Sequence, residues 1–262
     1  MRHDGNIMYL LNVSEPRRKT ITYAYVKFFS ERDHAEQFLD GDLFMQRLAC
    51  FRRQEDEEGR WDSTEGVSAW LQKKGIEIQL TIPSIGVANI TEHDLAAPVS
   101  FSLSEIDELY IFCMYAYYTQ RPLPTDDPRD VYGDDRLPEL EASLQVDPRC
   151  LKFGQDAVVL PALPFMERLK AAAPGLGLSV RADHVRCYDE EVLNGHFDHK
   201  DVPFRKQKRF EYQREYRICV RTFDRTPAPR IFNIGSLRWF GTYVPSQHLL
   251  NAIKLSPSSS AA

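Results

Sequence analysis

Residues 20–29, TITYAYVKFF, are dense in β-branched and aromatic side chains and predict a strand. The spacing then lengthens to that of a helix. Ser30 stands as its N-cap, Asp33 lies at the capping-box distance, Phe38 and Leu39 supply the apolar face, and Gly41 ends it. A second short strand or extended segment follows over 42–48. The next stretch, 49–66, is highly charged and reads as a helical turn and then a loop closed by Gly66. Alternation resumes at 77–91, giving one or two strands, and again at 99–103. The run LYIFCMYAYY (109–118) is apolar without alternation, the pattern of a buried strand.

Residues 119–149 are rich in Pro and Asp, with a short helix expected at 138–144. A connection this long is a lid, a binding loop or a disordered segment. Beyond it come a strand at 156–161, a helix at 162–175 closed by Pro174 and Gly175, and a strand at 179–189. A basic, aromatic connection follows, with a helix near 201–207. Strands at EYRICVRTF (215–223) and RIFNIGSL (230–237) precede a last short helix or turn in PSQHLLNAI (245–253). No repeat or composition break marks a second domain. The expected fold is one α+β domain over 20–250, with a mixed, mainly antiparallel sheet and a few flanking helices. Residues 1–19 read as an N-terminal extension and 251–262 as a disordered tail.

Composition changes this picture little. The 262 residues are 43% hydrophobic and 27% charged, ordinary for a globular protein. A formal charge of −5 gives no net positive field, so nucleic-acid binding would need a local patch. Five dispersed cysteines without a CxxC pair suggest reduced thiols and a cytoplasmic setting. No run of about eighteen apolar residues is present, so no membrane association is expected. There is no Walker A loop, no GxGxxG after a strand, no GxSxG and no HExxH. P-loop phosphoryl transfer and Rossmann-type hydride transfer are thereby disfavoured.

Four stretches carry candidate chemistry. In RFEYQREYRICVR (209–221), Gln213, Glu215 and Arg217 fall two apart and share a strand face. A Glu beside a buried strand must be exposed or paired. Either Glu215 and Arg217 form an ion pair, or Glu215 is a catalytic carboxylate with Gln213 positioning substrate. In EGRWDSTEG (58–66), Arg60, Asp62 and Glu65 surround Trp61, which either stacks on a planar ligand or plugs the core. His196 and His199 in HFDHK could hold a metal on a helix, but loop histidines explain them better, and no metal is assigned. The segment 199–214 interleaves basic residues with Phe204, Phe210 and Tyr212, which suits single-stranded nucleic acid or a plain solvated connection.

Taken together, residues 34–66, IFCMYA (111–116), FGQDAVVL (153–160) and KRFEYQREYRI (208–218) resemble a bacterial and phage-associated family of uncharacterised cytosolic proteins. Its marks are an Arg–x–Asp–x–x–Glu–Gly stretch and a late motif of Glu or Gln, one residue, Glu, an aromatic and Arg. The resemblance spans most of residues 20–240 and implies a setting in phage–host conflict, including phage defence. A second resemblance is to ADP-ribosyltransferase-like domains. It rests on the strand–helix–Gly–strand opening and on Gln213-Arg214-Glu215 ahead of YRICV. It implies a transferase using NAD, with Glu215 catalytic and Gln213 assisting. Lys27, Arg60, Asp62 and Arg217 would form the cofactor-binding set, and 119–149 would cover the cleft. A carboxylate beside the ribose would stabilise an oxocarbenium-like state. Lys27 stands where these enzymes carry a first-strand Arg or His, and VSFS (99–102) is the nearest counterpart of their Ser–Thr–Ser strand. The acceptor is undefined. Two rivals come from other classes. One is a metal-dependent nuclease using Asp183 or Asp201 with Glu215. The other is a non-catalytic inhibitor or sensor that binds a host or phage protein.

Overall fold

The computed structural model describes residues 19–53, 62–121, 141, 142, 144–222, 226 and 228–254. The chain opens with strand β1 (Lys19–Phe29), helix α1 (Arg32–Leu39), strand β2 (Asp42–Arg47) and helix α2 (Leu48–Arg53). Strands β3 (Val67–Leu71), β4 (Glu77–Ile82), β5 (Gly86–Thr91) and β6 (Val99–Ser102) lead to a one-turn helix, α3 (Ser104–Asp107), and the long strand β7 (Tyr110–Arg121). Strand β8 (Asp156–Pro161), helix α4 (Ala162–Ala172), and strands β9 (Ser179–His184), β10 (Arg186–Tyr188), β11 (Gly195–His196) and β12 (Arg205–Gln207) follow. The last strands are β13 (Glu215–Arg221), β14 (Arg230–Asn233) and β15 (Thr242–Pro245).

Among the described residues eight strands form the main sheet. Its path is β14-β2-β7-β1-β8-β15, with β13 on the other edge of β7 and β9 outside β13. Every pairing in it is antiparallel. A three-stranded sheet β11-β3-β6, a parallel pair β10-β12 and a lone hairpin β4-β5 complete the strands. The expected α+β class with a mainly antiparallel sheet is therefore observed. Among the described residues no helix is long and apolar enough to cross a membrane.

Strand alternation sorts the core. One sheet face, with Tyr25, Phe112, Met114, Val158, Tyr216 and Ile218, is buried under Ala35, Phe38 and Leu39 of α1 and Phe165 and Leu169 of α4. The opposite face carries two separate clusters. Val26, Phe28, Tyr115 and Tyr117 pack with Val146, Cys150 and Leu249. Ile111 and Cys219 pack with Leu48, Ile106, Tyr188, Phe197 and Phe204. Cys113, Glu215 and Arg217 belong to this second face by register and fall between the two clusters.

β7 is shared unevenly. On the edge away from β13, β1 pairs with Tyr115 through Arg121, and β2 pairs only with Tyr110 and Ile111. No described strand faces residues 112–114 on that edge. The Ala116 N–H donates to the Arg214 carbonyl, which fixes the alternation and turns the Cys113 carbonyl toward the gap. The Lys27 amino group fills it, donating to that carbonyl at 2.8 Å and lying 4.6 Å from the Phe112 ring centre, and burial holds its pKa below the ordinary lysine value.

Several local expectations are corrected. The N-cap of α1 is Glu31, not Ser30, and no side chain caps the helix. The single strand expected over 179–189 breaks at Val185, whose N–H bonds the Glu215 carbonyl. That turn sends β9 to the main sheet and β10 to β12. Near 201–207 the chain forms only a 3-10 turn, Val202–Phe204, before β12. Strands β3, β11 and β15 form where the sequence pattern predicts none. Most of 119–149, including the greater part of the helix expected at 138–144, lies outside the described residues. Its end docks on the sheet, with Leu144 and Val146 buried and Gln145 accepting from the Tyr115 hydroxyl at 3.3 Å.

Gly41 is the sharpest local constraint on this frame. Its φ is +101°, and a Cβ there would stand 2.3 Å from the Gly235 carbonyl oxygen. The same approach lets the Ile234 N–H bond the Gly41 carbonyl at 3.0 Å, tying α1 to β14. Gly41→Ala combines backbone strain with a backbone clash and is expected to cost about 1–3 kcal/mol of stability, read as a lower urea midpoint at unchanged slope.

Candidate functional site

The stretch around Glu215 is built by a backbone reversal. A 3-10 helix, Lys208–Gln213, ends at Arg214, which adopts the left-handed region at φ 40°, ψ 45°. For a residue with a side chain this conformation is unfavourable, so its surroundings must hold it. The Arg214 N–H donates to Glu211, and its carbonyl accepts from Ala116. Its guanidinium donates to the carbonyls of Ala116 and Tyr118 and lies 4.1 Å from the Tyr118 ring centre. Gln213 is thus not part of the strand, contrary to the expected run of shared-face positions. The reversal nevertheless aims Gln213 and Glu215 at one point.

That point is Lys206. Its ammonium donates to Gln213 Oε1 at 2.9 Å and pairs with Glu215 Oε2 at 2.7 Å and Glu65 Oε1 at 3.3 Å. Arg217 closes the group from the other side. Its Nε donates to Glu215 Oε1 at 2.7 Å, while Nη1 and Nη2 hold the two Glu65 oxygens at 2.9 Å each. Nη1 also donates to the Pro203 carbonyl at 2.6 Å. All four charged residues are buried, Arg217 at 2% exposure and Glu215 at 7%. Two carboxylates and two cations make the quartet neutral, and its members satisfy one another.

Burial alone would raise the Glu215 carboxyl, but the Arg217 and Lys206 charges outweigh it and hold the group well below the usual carboxylate range. Burial likewise works against the cations, yet Glu215 and Glu65 keep both Lys206 and Arg217 above their ordinary values. The neighbouring Cys113 thiol is pushed up to about 12, by burial first and the Glu215 charge second. At neutral pH Glu215, Lys206 and Arg217 are charged and Cys113 is a thiol, not a nucleophilic thiolate.

The residues named from sequence are divided by the fold. Glu215, Gln213 and Arg217 meet. Asp62 serves the site at one remove. Buried at 1% exposure, it accepts from the Thr64 N–H at 2.8 Å and the Thr64 hydroxyl at 2.5 Å, holding the turn that delivers Glu65. Lys27 starts from the helix-covered face, opposite Val158, and binds the Cys113 carbonyl rather than a quartet carboxylate. Arg60 and Trp61 lie outside the described residues. Glu65 and Lys206 are the members whose role was not read from sequence. Glu65 had a signal, since it shares the RxDxxEG stretch with Asp62, but Lys206 is one of several alike residues in RKQKR.

The basic connection 199–214 turns much of itself inward. Arg205, Lys206, Phe204 and Phe210 are buried, and Asp201 lies 3.8 Å from Arg205. This removes them from any exposed basic and aromatic surface. His199 sits 2.7 Å from Glu105. Asp183 and Asp201 each lie near Arg186, at 3.4 and 3.9 Å. Among the described residues no three His, Cys, Asp or Glu gather as a metal site would require. All five cysteines are free. No family model, no curated protein and no solved structure matches this chain.

Two measurements follow from these contacts. Arg217→Met leaves Glu65 and Glu215 buried with Lys206 alone to compensate them, and unfolding in urea should show a loss of about 3–5 kcal/mol. Acidification should act in two windows. Burial depresses the His184 imidazole to about 4 from an ordinary 6.5, so the unfolded chain takes up that proton first. Stability is therefore lost as pH falls from 6.5 toward 4, and His184→Gln should flatten the melting temperature over that range. Glu215, whose folded value is depressed, weakens the fold only at lower pH, as the unfolded carboxyl protonates near 4.5.

Proposed function

We propose that this chain works by binding a host or phage protein, and that the Glu215 quartet is the scaffold of the binding fold rather than a reaction centre. The observation that carries this reading is the closure of Glu215. One oxygen is held by Arg217 and the other by Lys206, both at 2.7 Å. A carboxylate that stabilises a developing charge on ribose has to offer an oxygen to the sugar. Here it would first have to break a buried ionic contact, at a cost of about 3–5 kcal/mol. The surface supports the same reading. Phe44 and Ile231 lie directly opposite each other on β2 and β14 at the sheet edge, 54% and 57% exposed. Apolar contact area of this kind is what protein partners cover. The phage–host setting comes from the four sequence segments that resemble the phage-associated family.

A transferase of the ADP-ribosyl class, on an ADP-ribosyltransferase-like fold, is the second reading. It is favoured by the convergence of Gln213 and Glu215 on the Lys206 ammonium, since the resemblance implies two such side chains working at one point. Calorimetric titration with NAD, on wild type and Glu215→Gln, separates the two readings. The binding reading expects no heat from either protein. Binding by both, with NAD cleavage by wild type lost in the variant, would overturn it in favour of the transferase.

A further inference from the structure

Residues 78–91, IQLTIPSIGVANIT, hold no charged side chain. They make up nearly all of the β4–β5 hairpin, and among the described residues its two strands pair only with each other. None of its residues joins any of the three core clusters. Cross-strand register sorts its faces. Ile78 opposes Ile90, Leu80 opposes Ala88, and Ile82 opposes Gly86, which makes one face wholly apolar. The other face carries Gln79 against Asn89 and Thr81 against Val87. Leu80 and Ile82 stand 44% and 40% exposed, and Ile85 at the turn 80%. A two-stranded hairpin with one bare apolar face is marginal in water.

We infer that this face is a dimer interface, covered by the same hairpin of a second copy of the chain. Charge at the base of the hairpin selects that occupant. Lys73 and Lys74, ahead of β4, are exposed and form no ion pair among the described residues. Glu92 and Asp94 follow β5. They are fixed in place, Glu92 by the Gly75 N–H at 2.6 Å and Asp94 by the Thr91 N–H and hydroxyl at 2.8 Å each. Two hairpins stacked by a two-fold axis along their length, about 10 Å apart, put each β4 over the partner's β5. The lysines at the base of one copy then face the acids at the base of the other, twice by symmetry. The stack also buries both Ile78–Leu80–Ile82 stripes with no charge trapped between them. This interface is separate from the Phe44–Ile231 surface, and it stands whether or not the partner-binding reading holds.

Sedimentation equilibrium tests it on the full chain. Wild type should be dimeric at micromolar concentration, and a Leu80→Lys/Ile82→Lys variant monomeric. Val87→Lys, on the opposite face, should stay dimeric. Lys73→Glu/Lys74→Glu should weaken the dimer several-fold at low salt and less at high salt. Unchanged far-ultraviolet circular dichroism would show that the variants keep the fold, as expected for a hairpin outside the core. A monomeric wild type, a dimer indifferent to Leu80→Lys/Ile82→Lys, or one dissociated equally by Val87→Lys would each overturn the inference.

Discussion

Arg217 joins two acids that stand 150 positions apart in the chain, Glu65 and Glu215. Its planar fork takes both oxygens of Glu65 while Nε takes one of Glu215, a use of the guanidinium that a lysine could not reproduce. Around it the sheet face is otherwise apolar, with separate clusters on either side. Charges in that seam cost several kcal/mol each to desolvate, and good geometry only recovers what burial takes away. The pairing therefore contributes more to register than to net stability. A slip of one residue in β13 would turn Arg217 and Glu215 to the helix-covered face and leave Glu65 and Lys206 with only each other, at 3.3 Å.

The same region explains why β7 is long and unevenly paired. β1 leaves it at Tyr115 and β2 joins it only at Ile111, and α1 links those two strands in the chain. The carbonyl exposed by this divergence needs a donor, and Lys27 reaches it from the opposite face. A lysine in the middle of a core strand, which in sequence resembles a ligand contact, here completes the backbone hydrogen bonding of its neighbour. Arg214 does comparable work just ahead of β13, holding a left-handed turn with its own guanidinium.

Taken together, a closed charge quartet and apolar surface away from it divide the molecule into a part that holds the fold and a part that stays exposed. The quartet has no unpaired charge to offer a ligand. The hairpin and the Phe44–Ile231 pair have apolar area that the described residues leave exposed. Binding at such surfaces relies on burial of that area, which asks nothing of the quartet but rigidity.

Periodicity and composition determined the secondary structure to a large extent, because each depends on neighbours a few residues apart. The opening strand, helix, glycine and strand, the buried run at 109–118, the helix after Pro161 and the strand at Glu215 were legible for that reason. The two-residue spacing of Glu215 and Arg217 left an ion pair and a catalytic carboxylate both open. The tertiary structure alone decided that Lys206, among the like residues of RKQKR, is the buried one, and that Glu65 completes the group. It also sent Lys27 to a carbonyl and Asp62 to a turn. Those outcomes depend on which strands meet across the sheet, and no local pattern encodes where a charge will lose its water. That loss decides whether a charged residue is surface, scaffold or site.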